Sequence, residues 1–210
     1  MGNVAILIDA GYYKSCYRSI KSKPITNPQH IINHCTKLLN DESIFDEKLL
    51  RIYYYDCEPF SGEHQSFDDS IIDYGITTEY KTNEEFQNKL KHMDDIAFRK
   101  GLLQLNGWKI KNHQIKKMYT SNKIPEKKQI KPDFKQKRID IKIGLDIAWL
   151  ASKKLVTTLV LITGDTDFIP AMKFARREGV RVVINSLKRE ISLSLKEHSD
   201  KVIKLSPLMH

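Results

Sequence analysis

Thr158-Leu159-Val160-Leu161-Ile162-Thr163-Gly164-Asp165-Thr166-Asp167-Phe168 is the stretch whose reading decides the fold. Its first five residues form a short aliphatic run that stops at a glycine turn, the pattern of a buried strand, and the residues after the turn read as a helix. Asp165 and Asp167 therefore stand at the C-terminal end of a strand, which in open α/β sheets is the end that faces the ligand crevice. The same pattern recurs near the start, where Val4-Ala5-Ile6-Leu7-Ile8 runs into Asp9 and then Gly11. A further acidic pair, Asp140 and Asp146, belongs to a helix just upstream of the first-quoted strand. Three separate segments thus bring acid towards one place.

A chain of 210 residues with 40% hydrophobic content supports one core, as a single domain or as a domain with a substantial insertion. Thirty-five Lys and Arg against 26 Asp and Glu give a formal charge of +9, which favours a polyanionic partner without identifying one. Cys16, Cys35 and Cys57 are odd in number and lack C-x-x-C spacing, so neither a disulfide framework nor a zinc site is expected, and a reducing cytoplasm is the simplest location. The apolar run after Met1 is short, contains Asp9 and has no basic flank, so it reads as neither a signal peptide nor a membrane span. No membrane attachment is expected.

Taken in order, strand 4–9 leads into a helix from about Tyr12 to Ile20, and Pro28 starts a second helix with Ile31, Ile32, Cys35, Leu38 and Leu39 as its apolar stripe. Residues 49–55 form a β-rich run ending at Asp56, which reads as the start of a turn. Residues 58–83 read as a loop or small excursion. Phe86, Leu90, Met93 and Ala97 follow helical spacing, with Leu102, Leu103 and Leu105 extending the same side. Helix 141–152, strand 158–162, a helix through Phe168, Met172 and Ala175, strand 180–184, a helix near 190–198 and a last strand at 201–205 complete an alternating order. That alternation predicts an α/β fold with a mostly parallel sheet.

Between Lys109 and Arg138 basic residues crowd together: Lys109, Lys111, Lys116, Lys117, Lys123, Lys127, Lys128, Lys131, Lys135, Lys137 and Arg138, against only Glu126 and Asp133. Pro125 and Pro132 suggest a loop, and a cationic loop beside an acidic pocket suits a phosphate backbone. Trp108, Tyr119 and Phe134 are candidates to stack on unpaired bases. The bland alternative is a solvated surface loop.

Carboxylates brought together repel, and their ionised form is costly unless protons or a divalent cation neutralise them. Oxygen-only donors without a His or Cys cluster suit Mg²⁺ or Mn²⁺. Such an ion lowers the pKa of bound water and neutralises charge on a phosphoryl group. Asp9, Asp140, Asp165 and Asp167 are the candidate catalytic and metal-holding residues, with Asp146 as an additional or outer ligand. Asp140 and Asp146 are six positions apart, about 120° around an ideal helix, so they share a pocket only if Asp140 precedes the regular turns. Candidate substrate contacts are Thr163, Thr166, Asn185, Ser186, Lys127, Lys128, Lys137 and Arg138.

Ile8-Asp9-Ala10-Gly11-Tyr12, Gln136-Lys137-Arg138-Ile139-Asp140 leading through Lys142 to Asp146, and Thr163-Gly164-Asp165-Thr166-Asp167-Phe168-Ile169-Pro170 resemble the three signature blocks of NYN-domain proteins in the PIN-like nuclease superfamily, most nearly the bacterial LabA-like group. The resemblance spans Val4 to about Ser186. It implies a three-layer α/β/α, Rossmann-like fold over residues 1–210, with a variable insertion and basic loop at about 58–138, and divalent-metal-dependent cleavage of RNA, single strands most readily. Asp9, Asp140, Asp146, Asp165 and Asp167 fall on the family's acidic positions. Two departures stand out: Tyr12 and Tyr13 occupy the region where many members carry an Asn, and Thr163 replaces a common Ser. The alternatives are a non-catalytic RNA-binding or regulatory module and, far behind, a haloacid-dehalogenase-type phosphatase. That last group needs a second Asp two residues after the first, where this chain has Gly11. A homodimer would set two acidic pockets and two basic loops on one surface.

Overall fold

The computed structural model describes residues 2–44, 46–110, 112–121 and 124–208, without the side chains of His113 and Lys117. Among these residues a seven-stranded sheet runs in the order β6-β5-β2-β1-β7-β8-β9. Its strands are β1 (Asn3–Asp9), β2 (Lys48–Cys57), β5 (Ile96–Ile110), β6 (Ile130–Lys137), β7 (Thr158–Ile162), β8 (Arg181–Asn185) and β9 (Lys201–Ile203). A separate two-stranded hairpin pairs β3 (Glu63–Gln65) with β4 (Ile71–Asp73). Within the large sheet every pairing is parallel except β5 with β6, which bears out the mostly parallel expectation.

Strand β1 shows why the sheet is covered on both sides. Val4, Ile6 and Ile8 enter one buried cluster, where α1 (Ala10–Lys21), α2 (Gln29–Leu39) and α3 (Thr78–Lys91) contribute Tyr13, Ile31 and Phe86. Ala5 and Leu7 enter the other, with Ile143 and Ile147 of α5 (Ile139–Ser152) and Met172 of α6 (Ile169–Arg177). Successive side chains of a strand alternate faces, so a continuous apolar run suits a strand buried on both sides. The chain passes from β1 to β2 on one side, while β7 joins β1 on the other. The β1/β7 boundary is therefore a topological switch point, and the ends of both strands open there.

Two expectations are corrected. Ala97, Leu102, Leu103 and Leu105 belong to the fifteen-residue β5 and not to a helix. Of the expected stripe only Phe86 and Leu90 lie buried on α3, and a short apolar run carries too little periodicity to separate the two states. Second, Lys109–Arg138 is not a loop: α4 (Asn112–Ser121) and β6 occupy most of it. Pro132 sits opposite Trp108 on the edge strand, where its missing N–H costs no ladder bond. The 58–83 region forms a small excursion from the main sheet, the β3/β4 hairpin, followed by the start of α3, and it is held by Phe60 and Tyr74 packing on each other and on Phe134. Phe134 is thus taken up by packing, and Trp108 packs edge-on against Phe67. Of the three proposed stacking residues Tyr119 alone is largely exposed. Helix 190–198 shortens to α7 (Leu193–Glu197), capped by Ser192. Lys111 and Lys123, and the Lys117 side chain, lie outside the described residues.

Candidate active site

Asp9 ends β1 and caps α1. Its backbone is extended, and its Oδ1 accepts the Tyr12 amide at 3.2 Å. A short acceptor that satisfies a free helix N–H is what an N-terminal cap requires. Asp165 does the same after β7: its Oδ1 accepts the Asp167 amide at 2.9 Å, and its own amide donates to Thr163 Oγ1 at 3.1 Å. Asp140 arrives in the first turn of α5, which starts as soon as β6 ends.

These three carboxylates line one open cleft of about 550 Å³, together with Gly11, Tyr12, Gln136, Gly164 and Thr166. Among the described residues no lysine or arginine lines it. Burial, the largest influence, raises the Asp9 carboxyl from 3.8 to about 6; backbone amides of Tyr12 and Gly11 oppose the rise, and Asp140 and Asp165 add to it. Asp140 is also raised, by burial first and then by Asp165 and Asp167. Mutual repulsion and desolvation disfavour the charged forms. The cleft thus gathers carboxylates that disfavour one another's charge.

Close packing fixes its walls. A Cβ on Gly11 would stand 3.1 Å from Gln136 Oε1 and 3.2 Å from Asp9 Oδ1. One on Gly164 would approach Tyr12 Cε2 to 2.7 Å, a distance no side chain tolerates. Tyr12 is anchored by its hydroxyl, which donates to the Ser186 carbonyl at 2.7 Å, while the Arg189 guanidinium lies over its ring. Tyr12 therefore fills space where a smaller polar residue was expected. Neither Tyr12 nor Gln136 is a candidate from sequence: Tyr12 reads as the start of a helix, and Gln136 acquires meaning only when β6 delivers it beside Gly11.

Several predicted residues lie elsewhere. Asp146 accepts from Arg99 Nε at 2.9 Å and from the Tyr55 hydroxyl at 2.8 Å, and it does not line the cleft. Asp140 and Asp146 both sit within regular turns of α5, so the 120° separation stands and they face different surroundings. Asp167 lies on the exposed turn beside the cleft without lining it. Thr163 is buried as a turn acceptor. Asn185 is fully buried: its Nδ2 meets His34 Nε2 at 2.8 Å and its Oδ1 accepts the Leu187 and Leu205 amides. The Ser186 side chain is buried as well. Lys127 pairs with Asp68 and Lys128 with Glu126, at the far end of β6, roughly 20 Å along the strand from Gln136. Lys137 and Arg138 are exposed and stand in the chain between two cleft residues, Gln136 and Asp140. Asp56 is a buried strand residue, bonded to Lys14 at 2.5 Å and to Gln87 at 2.9 Å, and does not start a turn.

The arrangement meets a known one in the second half of the chain. The NYN domain family model matches residues 103–206. The matched segment, just under half of the chain, carries Asp140, Asp146, Asp165 and Asp167, whereas Asp9 lies outside it. NYN domains are PIN-like nucleases, and the mostly parallel α/β sheet agrees with that fold. An uncharacterized protein of Methanocaldococcus jannaschii is 27% identical over 90 residues, covering 41% of this chain and 38% of the relative. The chain thus spans well under half the length of that relative. No solved structure matches the chain.

Proposed function

We propose that this chain is a divalent-metal-dependent ribonuclease of the NYN type, closest to the LabA-like group. The reading rests on one observation above all: Asp9, Asp140 and Asp165, from three separate segments, share a cleft that has no lysine or arginine among its described lining residues. The donors present are carboxylates, the Gln136 amide and the Thr166 hydroxyl, a hard oxygen set that fits Mg²⁺ or Mn²⁺. Among the described residues no three acidic or imidazole groups converge closely enough to hold one ion directly. That spacing suits Mg²⁺, which keeps several waters and takes one or two carboxylates directly. When bound, such an ion supplies charge neutralisation and an acidified water.

The chain's own residues set up the rest. Of Asp9, Asp140 and Asp165, one or two would hold the ion directly and the rest through its waters, with Asp167 beside them and Thr166 placed to orient the water shell. Tyr12 packed on Gly164 closes one wall, and the Gln136 amide stands beside Gly11. Lys137 and Arg138 would meet the phosphates of a single strand as it enters, in contacts that position without reading bases. We assign residues 1–210 to one unit with the insertion at about 58–138. A cytoplasmic location is supported by Cys16, Cys35 and Cys57, all buried free thiols. No described helix is long and apolar enough to cross a membrane.

The test is cleavage of a labelled single-stranded RNA with Mn²⁺, Mg²⁺ or EDTA, beside an Asp165→Asn variant purified identically. Metal-dependent cutting that disappears in the variant supports the enzyme. RNA retention without cutting would move the assignment to a non-catalytic RNA-binding module.

A further inference from the structure

A second cleft, of about 630 Å³, has the opposite character to the acidic one. Lys21, Lys23 and Lys37 line it, with Asn33, Thr36 and Asn40 among them. Among the described residues no carboxylate lines it, and neither Lys21 nor Lys23 belongs to an ion pair. Ammonium groups gathered around one concavity repel one another, and an anion relieves that repulsion. The shape follows from two helices. Tyr13 meets the His34 ring at 5.4 Å between centroids and Tyr17 meets His30 at 5.9 Å, so α1 and α2 lie side by side and run in opposite directions. Lys21 and Lys23 therefore lie past the His30 end of this trough, while Lys37 lies past His34, roughly 10 Å along α2 from His30. Positive charge stands at both ends, more than one small anion satisfies.

His34, only 3% exposed, forms the lining between those ends. Asn185 Oδ1 accepts two backbone amides, so its Nδ2 is the donor to His34 Nε2 at 2.8 Å, and the imidazole proton sits on Nδ1. That Nδ1–H lies beside the Ser206 backbone and, among the described residues, makes no hydrogen bond. Asn185 leads directly to Ser186, whose carbonyl accepts the Tyr12 hydroxyl at 2.7 Å. Tyr12 in turn walls the acidic cleft, so His34, Asn185 and Ser186 join the two clefts. Resting on the ribonuclease reading, we infer that this trough binds a short stretch of single-stranded RNA, with phosphates at Lys21 and Lys23 and, further along the strand, at Lys37. Asn33, Thr36 and Asn40 offer uncharged donors and acceptors to the sugars and base edges between those phosphates. The trough supplies the attraction for a polyanion that a cleft of carboxylates lacks.

The experiment is fluorescence anisotropy with a labelled single strand of about 12 nucleotides over a salt series, in EDTA and on an Asp165→Asn background so that nothing is cut. The double variant Lys21→Glu, Lys23→Glu should bind at least tenfold more weakly at low salt. Its salt slope should fall by about 1.4, at ~0.7 for each phosphate contact on a single strand. The control is Lys153→Glu with Lys154→Glu, the same change of charge in exposed residues just past the far end of α5, and it should cost less than about threefold. Lys23→Glu alone, in the loop after α1, should weaken binding about threefold and serves if the double variant fails to fold. Competition by a 5′-phosphorylated trinucleotide shows that a short fragment fills the trough; competition by longer strands alone places the trough on the path of a longer RNA. A reversal no worse than its control overturns the inference, as does inorganic phosphate that displaces the RNA as well as the trinucleotide does. Cleavage by the wild type with affinity unmoved in the reversal sinks this inference alone, whereas a wild type that binds no RNA sinks it together with the ribonuclease reading.

Discussion

Arg99 Nε donates to Asp146 Oδ2 at 2.9 Å, and the Tyr55 hydroxyl donates to the same oxygen at 2.8 Å. Asp146 is thereby committed to the sheet, where the Arg99 guanidinium also lies over the Tyr53 ring. Asp146→Ala would leave the buried Tyr55 hydroxyl without an acceptor and is expected to cost about 1–3 kcal/mol of stability. Cleavage per folded molecule should change only a few-fold. Asp165→Asn, by contrast, should lose at least ~100-fold in rate with little change in melting temperature. Urea unfolding and initial cleavage rates on both variants distinguish the roles; equal loss of rate in Asp146→Ala would return that residue to the site.

Asp9 carries a stability cost. Because its carboxyl titrates near 6 and not at 3.8, ionising it is disfavoured in the folded chain. The penalty is absent below the ordinary carboxylate range, grows as pH rises through 6, and reaches roughly 3 kcal/mol above it. In EDTA at pH 8, Asp9→Asn should melt several degrees above the wild type. Mn²⁺ should raise the melting temperature of the wild type and leave the variant unmoved. A variant that melts lower in EDTA would contradict the cause assigned to the shift.

The position of the basic residues predicts unequal effects on RNA affinity. Lys137→Glu should weaken binding of a single-stranded RNA several-fold and reduce the salt slope by about one. Lys127→Glu should do far less, because Lys127 is paired with Asp68 at the remote end of β6. Filter binding or anisotropy across a salt series reads both. The ranking fails if the two reversals are equivalent.

His34 supplies a separate dependence on pH. Burial lowers its imidazole from 6.5 to about 4, with the Ser206 backbone opposing in part, so the ring stays neutral against Asn185. Its contribution is complete above 6.5 and is lost as pH falls towards 4, where the unfolded chain has taken a proton that the native one refuses. The loss is up to ~3 kcal/mol. His34→Gln should therefore flatten that part of the stability profile. Urea titrations at pH 7.5, 5.5 and 4.5, taken as wild type minus variant, isolate it from Asp9, whose effect runs the other way.

Legibility in the sequence followed the physics of each signal. β1, β2, β7 and β8 were plain because a strand buried on both faces must be continuously apolar, and α2 and α6 because one-sided burial imposes a stripe. β5 and β6 were obscure: half-exposed strands at and beside the sheet edge need no apolar run, and Lys131, Pro132 and Lys135 look like loop residues to any local reading. Asn185 and Ser186 look like a polar strand end open to ligand. Only the packing of α2 and the Leu187–Leu205 segment over them turns them into buried supports.

What the sequence by itself determined is the alternating α/β order and the delivery of Asp9, Asp140 and Asp165 to adjoining element ends, because strand burial and helix capping are local and leave their mark in local pattern. Tertiary structure alone decided that Asp146 turns to Arg99, that Gln136 and Tyr12 wall the cleft, and that Lys127 is remote from it. Those outcomes depend on which strand lies beside which, and the antiparallel return of β6 along β5 joins residues whose sequence separation carries no periodic signal.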